Sequence, residues 1–169
     1  MARIIAETDR LVLRELEEGD AEAFLLLTTD PRVTRFIPVP PLRDLEHARE
    51  TIRSRRQTDY AERGYGRWAC VLKETGSLAG WSGPRFLVEI GEPELGYRFF
   101  PEHWGKGLAT EAGRAVLAKW FGEMGQRRLV ALIDPENLAS AGVARKLGFA
   151  IEGKTAISGV VVDRWAKEA

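Results

Sequence analysis

Apolar residues along the chain change period several times, and these changes outline its elements. Arg10-Leu11-Val12-Leu13-Arg14-Glu15-Leu16 is rich in Leu and Val with rough alternation, which predicts a first strand. Gly19-Asp20 stops it, and Asp20 is placed to cap a helix through Ala23-Phe24-Leu25-Leu26-Leu27. Three prolines between Phe36 and Leu42 make a loop. A charged helix opens near Asp44, with Leu45, Ala48 and Ile52 at helical spacing, and runs to about Glu62. Strands are expected at Arg67–Leu72, at 78–82 after a turn at Gly76, and at 95–100, with Gly91, Glu92 and Pro93 in the loop before the last. A long helix from Gly107 to Glu123, a strand over 128–133, a helix over 138–147 and two closing strands near 151–157 and 160–165 complete the pattern. Helices first, then a strand meander, then strand–helix–strand–helix–strand predicts a single α/β domain over residues 1–169. Its sheet is mixed and mostly antiparallel, with about seven strands and helices on both faces.

Composition narrows the class. The chain has 169 residues, 44% of them hydrophobic, and its 25 Lys and Arg balance its 25 Asp and Glu. Zero net charge without a basic or acidic tail argues against nucleic acid or an anionic membrane as partner. No apolar run approaches a membrane span, and no signal peptide is visible, so the expected location is the cytoplasm. Cys70 is the single cysteine and fits a reducing compartment, most simply as a core thiol. With only His47 and His103 beside it, no metal cluster is expected.

The most informative stretch is Pro101-Glu102-His103-Trp104-Gly105-Lys106-Gly107-Leu108-Ala109-Thr110-Glu111-Ala112. A strand ends, two glycines follow with one residue between them, and a helix begins. Glycine lets a main chain approach a ligand closely, and the first helical turn offers unpartnered N–H groups and the positive end of the macrodipole. Together these suit an anion such as pyrophosphate, with Lys106 adding charge and Thr110 a hydroxyl. A turn with a close helix–sheet contact is the plainer alternative. Thr110 stands where a dinucleotide fingerprint needs a third glycine, although Asp134 keeps a nucleotide reading open. Gly148 to Thr155 formally matches a P-loop, but the segment before it reads as helix and none follows, so the match is read as coincidence.

Taken in order, several motifs resemble the GCN5-related N-acetyltransferase (GNAT) superfamily, and within it the RimJ/RimL branch. They are Thr8-x-Arg10-Leu11-x-Leu13-Arg14 with Asp20, Glu94-Leu95-Gly96-Tyr97, Trp104 to Ala112, Asn137-x-x-Ser140, and Lys146-Leu147-Gly148-Phe149-x-x-Glu152-Gly153. The resemblance implies an acetyl-CoA-dependent enzyme without a metal, with Gly105, Lys106, Gly107, Leu108, Ala109 and Thr110 around the pyrophosphate. It further implies that Phe99 and Phe100 run beside the pantetheine arm, a backbone N–H near Phe99 meeting the thioester carbonyl. Gly107 and Ala109 match the superfamily loop, while Trp104 stands where Gln or Arg is usual. Asn137 would fix the cofactor amides together with the start of its helix.

Direct transfer needs a neutral amine. An α-amine of pKa about 7.8 is roughly one-seventh neutral at pH 7, whereas a lysine of about 10.4 is neutral only about once in 2,500. Glu94 is the candidate base, directly or through water, and its bland alternative is a surface carboxylate at a strand start. For Glu111 a structural role in the first helical turn comes first. The superfamily's tyrosine, seven residues after the helix-starting Asn, falls here on Ala144. By resemblance to the branch, Ser140 is the substitute that would donate to the leaving thiolate, unless it is only a first-turn hydroxyl. By resemblance, Phe36, Trp81, Arg85 and Tyr97 fall in the acceptor pocket. The acceptor itself, a peptide N-terminus or a small amine, stays open, as do a homodimer and a non-catalytic acyl-CoA-binding module.

Overall fold

The computed structural model describes all 169 residues. Eight strands form one sheet in the order β1-β2-β3-β4-β5-β6-β8-β7. They are β1 (Ile4–Glu7), β2 (Leu11–Arg14), β3 (Trp68–Leu72), β4 (Leu78–Leu87), β5 (Glu92–Phe99), β6 (Arg128–Ile133), β7 (Ala150–Ile157) and β8 (Val160–Glu168). The helices are α1 (Ala21–Thr29), α2 (Pro31–Thr34), α3 (Leu45–Arg55), α4 (Leu108–Leu117) and α5 (Leu138–Lys146). The strand beyond the seven expected is β1, a four-residue edge strand too short and too exposed to show alternation.

Side chains alternate across the sheet and divide the interior in two. Leu11, Leu13, Trp68, Cys70, Leu95 and Phe99 face α4 and α5 in the larger core. Ala69 and Trp81 face α1 and α3 in the smaller one, with Phe24, Leu27, Ala48 and Ile52. Trp68 and Trp120 are almost fully buried. The Trp120 indole N–H donates to the Arg128 carbonyl at 3.0 Å, so its polar atom is satisfied.

Two long helices change winding near their ends. The helix begun by α3 continues as a π-helix over Arg56–Arg63, and that begun by α4 over Ala118–Glu123. Leu108, Ala112, Val116 and Trp120 repeat every four residues and are all buried. A spacing of four drifts around a 3.6-residue helix, and the wider turn corrects the drift so that Trp120 still faces the core. The other π segment delivers Asp59 and Tyr60 to the sheet.

Glu92 and Pro93, expected in a loop, begin β5, and β4 runs on through Pro84 to Leu87. Proline is tolerated at position 84 because β3 has already ended its pairing with β4 at Trp68↔Ser82. β5 and β6 are parallel and pair only at Glu94↔Val130. Beyond that pair their C-terminal halves part, and a wedge opens in the middle of the sheet.

Candidate active site

Three features meet at the wedge. The first is its backbone edge. The Phe100 N–H donates to the Ala79 carbonyl of β4 at 3.0 Å. Alternation along the strand therefore turns the Phe99 N–H the other way, toward β6, where pairing has stopped. The Phe99 carbonyl accepts from the Trp104 indole N–H at 2.8 Å, which anchors the start of the following loop.

The second is the glycine loop. Gly105 and Gly107 take φ of 71° and 77°, the left-handed region that a side chain makes costly. Gly107 is the N-cap residue of α4 and offers no side chain to cap it. The first helical bond runs from the Glu111 N–H to the Gly107 carbonyl at 3.0 Å. The N–H groups of Leu108, Ala109 and Thr110 thus have no helical partner and face the loop with the dipole behind them. Lys106 is exposed, and Thr110 is buried.

Glu111 has the structural role expected of it. Its carboxylate accepts from the Thr8 hydroxyl at 2.6 Å, from the Arg10 N–H at 2.9 Å and from Arg10 Nε at 2.7 Å. Arg10 Nη1 also donates to the Lys106 carbonyl at 2.9 Å, so the β1–β2 turn holds the glycine loop directly. Burial alone would raise the Glu111 pKa, but these hydrogen bonds outweigh it and hold the carboxyl below its usual range. Because the folded value is depressed, this stabilisation is complete above about pH 4.3 and is lost as pH falls through the folded value. Glu111→Ala is expected to cost about 1.5–3 kcal/mol in urea unfolding at pH 7, with the difference from wild type shrinking toward pH 3.

The third feature is a pair of hydroxyls across the wedge. The Asn137 side chain caps α5 by accepting from the Ser140 N–H at 3.1 Å. Ser140 Oγ donates to the Tyr97 hydroxyl at 3.1 Å, and that hydroxyl donates to the Ser140 carbonyl at 2.8 Å. Tyr97 stands on the α4/α5 face of β5 with Ser140, opposite the face that carries Trp81. Burial is the main cause that pushes its hydroxyl up to about 12, so it stays protonated at neutral pH.

On the α1/α3 face of the sheet, the β4–β5 ladder sets Trp81 opposite Arg98, Gly83 opposite Gly96 and Arg85 opposite Glu94. Glu94 lies inside β5 and is buried, which removes the surface-carboxylate alternative. It pairs with Arg67 through Oε2, and Arg67 Nη1 also donates to the Glu94 carbonyl at 2.8 Å. The guanidinium lies flat on Gly96, where an added Cβ would come within 2.5 Å of Arg67 Cζ. Tyr60, from the π segment, accepts from the Leu16 N–H and donates to the Arg67 carbonyl. Arg85 Nε is 3.6 Å from Asp59 Oδ2. Phe36 stands in the loop after α2, half-buried beneath the Arg35 guanidinium at 5.0 Å. Phe100 shares a cavity of about 490 Å³ with the α1–α2 junction and Glu102.

Sequence reasoning missed Arg67, Arg98, Tyr60 and Asp59. Only Gly96, which leaves room for a guanidinium, hints at the first of them.

Other groups are plainly structural. Cys70 is fully buried, and burial pushes its thiol up, so it supplies no nucleophile. No three His, Cys, Asp or Glu side chains gather where they could hold a metal ion. The P-loop match fails in three dimensions: Ala150–Ile157 is strand β7, and Lys154 is paired with Asp163 at 2.7 Å. Asp134 accepts from the Glu136 N–H at 2.9 Å within a tight turn. The P-loop support of a nucleotide reading is removed. No helix is long and apolar enough to cross a membrane.

Wedge, glycine loop and strand order together are the plan of an acyltransferase fold, and comparison with known proteins agrees. The family model described as acetyltransferase (GNAT) domain matches residues 10–150. The uncharacterized N-acetyltransferase p20 of Bacillus licheniformis is 33% identical over 148 residues, 86% of this chain and 82% of that protein. A GNAT-family acetyltransferase from Bacillus anthracis superposes with a TM-score of 0.81 at 27% identity, covering 99% of this chain and 98% of that one. RimL, a ribosomal L7/L12 α-N-protein acetyltransferase solved with coenzyme A, shares the fold with a TM-score of 0.77 at 20% identity, covering 98% of each chain. The chain belongs to the GNAT family of acetyltransferases and is an enzyme of the N-acetyltransferase class.

Proposed function

We propose that this enzyme binds acetyl-CoA in the β5–β6 wedge and transfers its acetyl group directly to a primary amine. The observation that carries this reading is the parting of β5 from β6 at Glu94↔Val130 beside a two-glycine helix start. A narrow gap lined by unpaired main-chain N–H and C=O groups suits a thin ligand with its own amides, and the loop suits its pyrophosphate. Coenzyme A is also the ligand named for the structurally similar RimL. Gly105 to Thr110 would hold the diphosphate, Tyr97 to Phe99 the pantetheine arm, and Asn137 the start of α5 beside it.

Acetyl-CoA supplies an activated acyl group, and the protein supplies orientation and proton handling. Orientation alone lowers a bimolecular barrier by about 7–11 kcal/mol when the reacting atoms are aligned. The Phe99 N–H is directed to donate to a carbonyl oxygen in the wedge. Glu94, on the opposite face of β5, accepts the amine's proton through Oε1 or a water. Its Oε2 stays with Arg67, which fixes the carboxylate in place. Ser140 Oγ, which donates to the Tyr97 hydroxyl in the free enzyme, turns that proton to the leaving sulfur. Ala144, where the superfamily's usual tyrosine would stand, is buried and supplies no proton. Its loss favours a non-catalytic binding module, and the Ser140–Tyr97 pair favours catalysis. A cytoplasmic location goes with this reading, in keeping with one reduced cysteine.

The test is titration calorimetry with acetyl-CoA, followed by thiol release with amines. Ser140→Ala should lower kcat about 10²-fold with little change in acetyl-CoA affinity, and Tyr97→Phe by a smaller factor. Full turnover in Ser140→Ala would remove that residue from the mechanism.

A further inference from the structure

The α1/α3 face of the β4–β5 ladder holds more positive charge than its partners neutralise. Arg55, Arg67, Arg85 and Arg98 act on one another there, with Asp59 and Glu94 as the carboxylates among them. Arg67 is fully committed to Glu94 and the Gly83 carbonyl. Arg85 has only the long contact to Asp59, and its side chain is 42% exposed. Arg98 is different, because it is half-buried and its guanidinium makes no hydrogen bond or ion pair within the protein. Its one close neighbour is the Trp81 ring, with Cζ 5.1 Å from the centroid, and Arg67 lies against the same ring at 5.0 Å. The Trp81 indole N–H and Arg55 Nη1 are buried without an acceptor.

A half-buried guanidinium with no acceptor in the protein keeps its donors free for a ligand, and a buried indole N–H without a partner is costly. Such groups are retained where something else completes them. Arg98 follows Glu94 on the same face of the same strand, separated from it only by Gly96, so an acceptor reaching Glu94 passes Arg98. We infer that the acceptor amine also carries a carboxylate, and that Arg98, with the Trp81 N–H as second donor, binds that carboxylate while Glu94 faces the amine. A fork of guanidinium N–H groups matches the two oxygens of a carboxylate, and a polyamine would bring further cations to a face already in surplus. Burial first, then repulsion from Arg67, pushes Arg98 down to about 10 despite Glu94, as expected of a cation whose counter-ion is not part of the chain.

This inference rests on the proposed acetyl transfer, and the experiment separates the two. Acetyl-CoA binding is measured first by calorimetry; its absence would overturn the transferase reading and this one with it. Thiol release is then compared for amino acids against their α-amides, for Asp against Asn and Glu against Gln, for phosphoethanolamine and for spermidine. At least one carboxylate should exceed its own amide by about tenfold or more in kcat/KM. Arg98→Gln should collapse that preference through KM, and Arg98→Lys should restore part of it. Acids and amides equal within about twofold, spermidine or phosphoethanolamine as the best acceptor, or a preference that survives Arg98→Gln would each overturn the assignment while leaving the transferase reading intact. Should Arg98→Gln fail to fold, the acid–amide comparison on the unmodified enzyme decides.

Discussion

Glu94→Ala should destabilise the protein by about 3–5 kcal/mol, among the largest single-residue effects expected here. The substitution leaves Arg67 buried against Gly96 with its charge uncompensated. Against a total stability of about 5–15 kcal/mol that is a substantial part, and the variant should melt far below the native enzyme. Two companion variants separate structure from chemistry. Glu94→Gln retains an amide oxygen for Arg67 and should keep most of the stability, yet it cannot accept a proton, so turnover should fall while acetyl-CoA affinity holds. Arg67→Met combined with Glu94→Leu removes both charges and should cost well below the sum of the single changes in urea unfolding. If Glu94→Gln turns over normally, the carboxylate positions Arg67 and the strand, and the base lies elsewhere.

The second large effect is expected at Gly107. Valine there would have to adopt φ near 77°, a strain of about 1–3 kcal/mol, and would place its branched side chain at the mouth of the helix N-terminus. The nearest side-chain atom to an added Cβ is Arg10 Nη2 at 3.7 Å, so the folded chain has room for it. The ligand cradle does not. Calorimetry should find acetyl-CoA binding weakened at least about 100-fold, equivalent to about 3 kcal/mol. Gly122→Ala is the matching control: an added Cβ at that position meets nothing within 4 Å, and binding should not change. Equal acetyl-CoA affinity in Gly107→Val and the native protein would mean that the glycine loop is only a turn.

Much of this site is legible in the sequence because it is written in local chemistry. Gly105 and Gly107 are required by backbone conformation, Asn137 by a helix start, and the order of strands by alternation; all of these act within a few residues. What stayed hidden depends on residues brought together from far apart. Arg67 reads as the polar start of a strand until Gly96 is seen beneath its guanidinium and the Gly83 carbonyl beside it, from two other strands. Arg98 and Arg55 read as solvated cations, because nothing local says that the sheet and α3 will enclose them. Tyr97 falls in the acceptor pocket only by resemblance, while the one-residue alternation of β5 sets it beside Ser140, 43 residues away in sequence. Pro84 and Pro93 read as breaks because proline costs a ladder bond, and the cost vanishes where a neighbouring strand has ended.

The wedge has one further consequence. An unpaired strand edge at the rim of a sheet invites other chains to add to it, and proteins commonly guard such rims with charge, proline or short strands. Here the open edges of β5 and β6 face each other inside the molecule, with the Tyr97–Ser140 contact joining β5 to α5 beside them. The same main-chain groups that would be an aggregation hazard at the rim are thus kept out of reach of neighbouring polypeptides, and the chain keeps a sticky edge for its ligand without exposing it to its own copies.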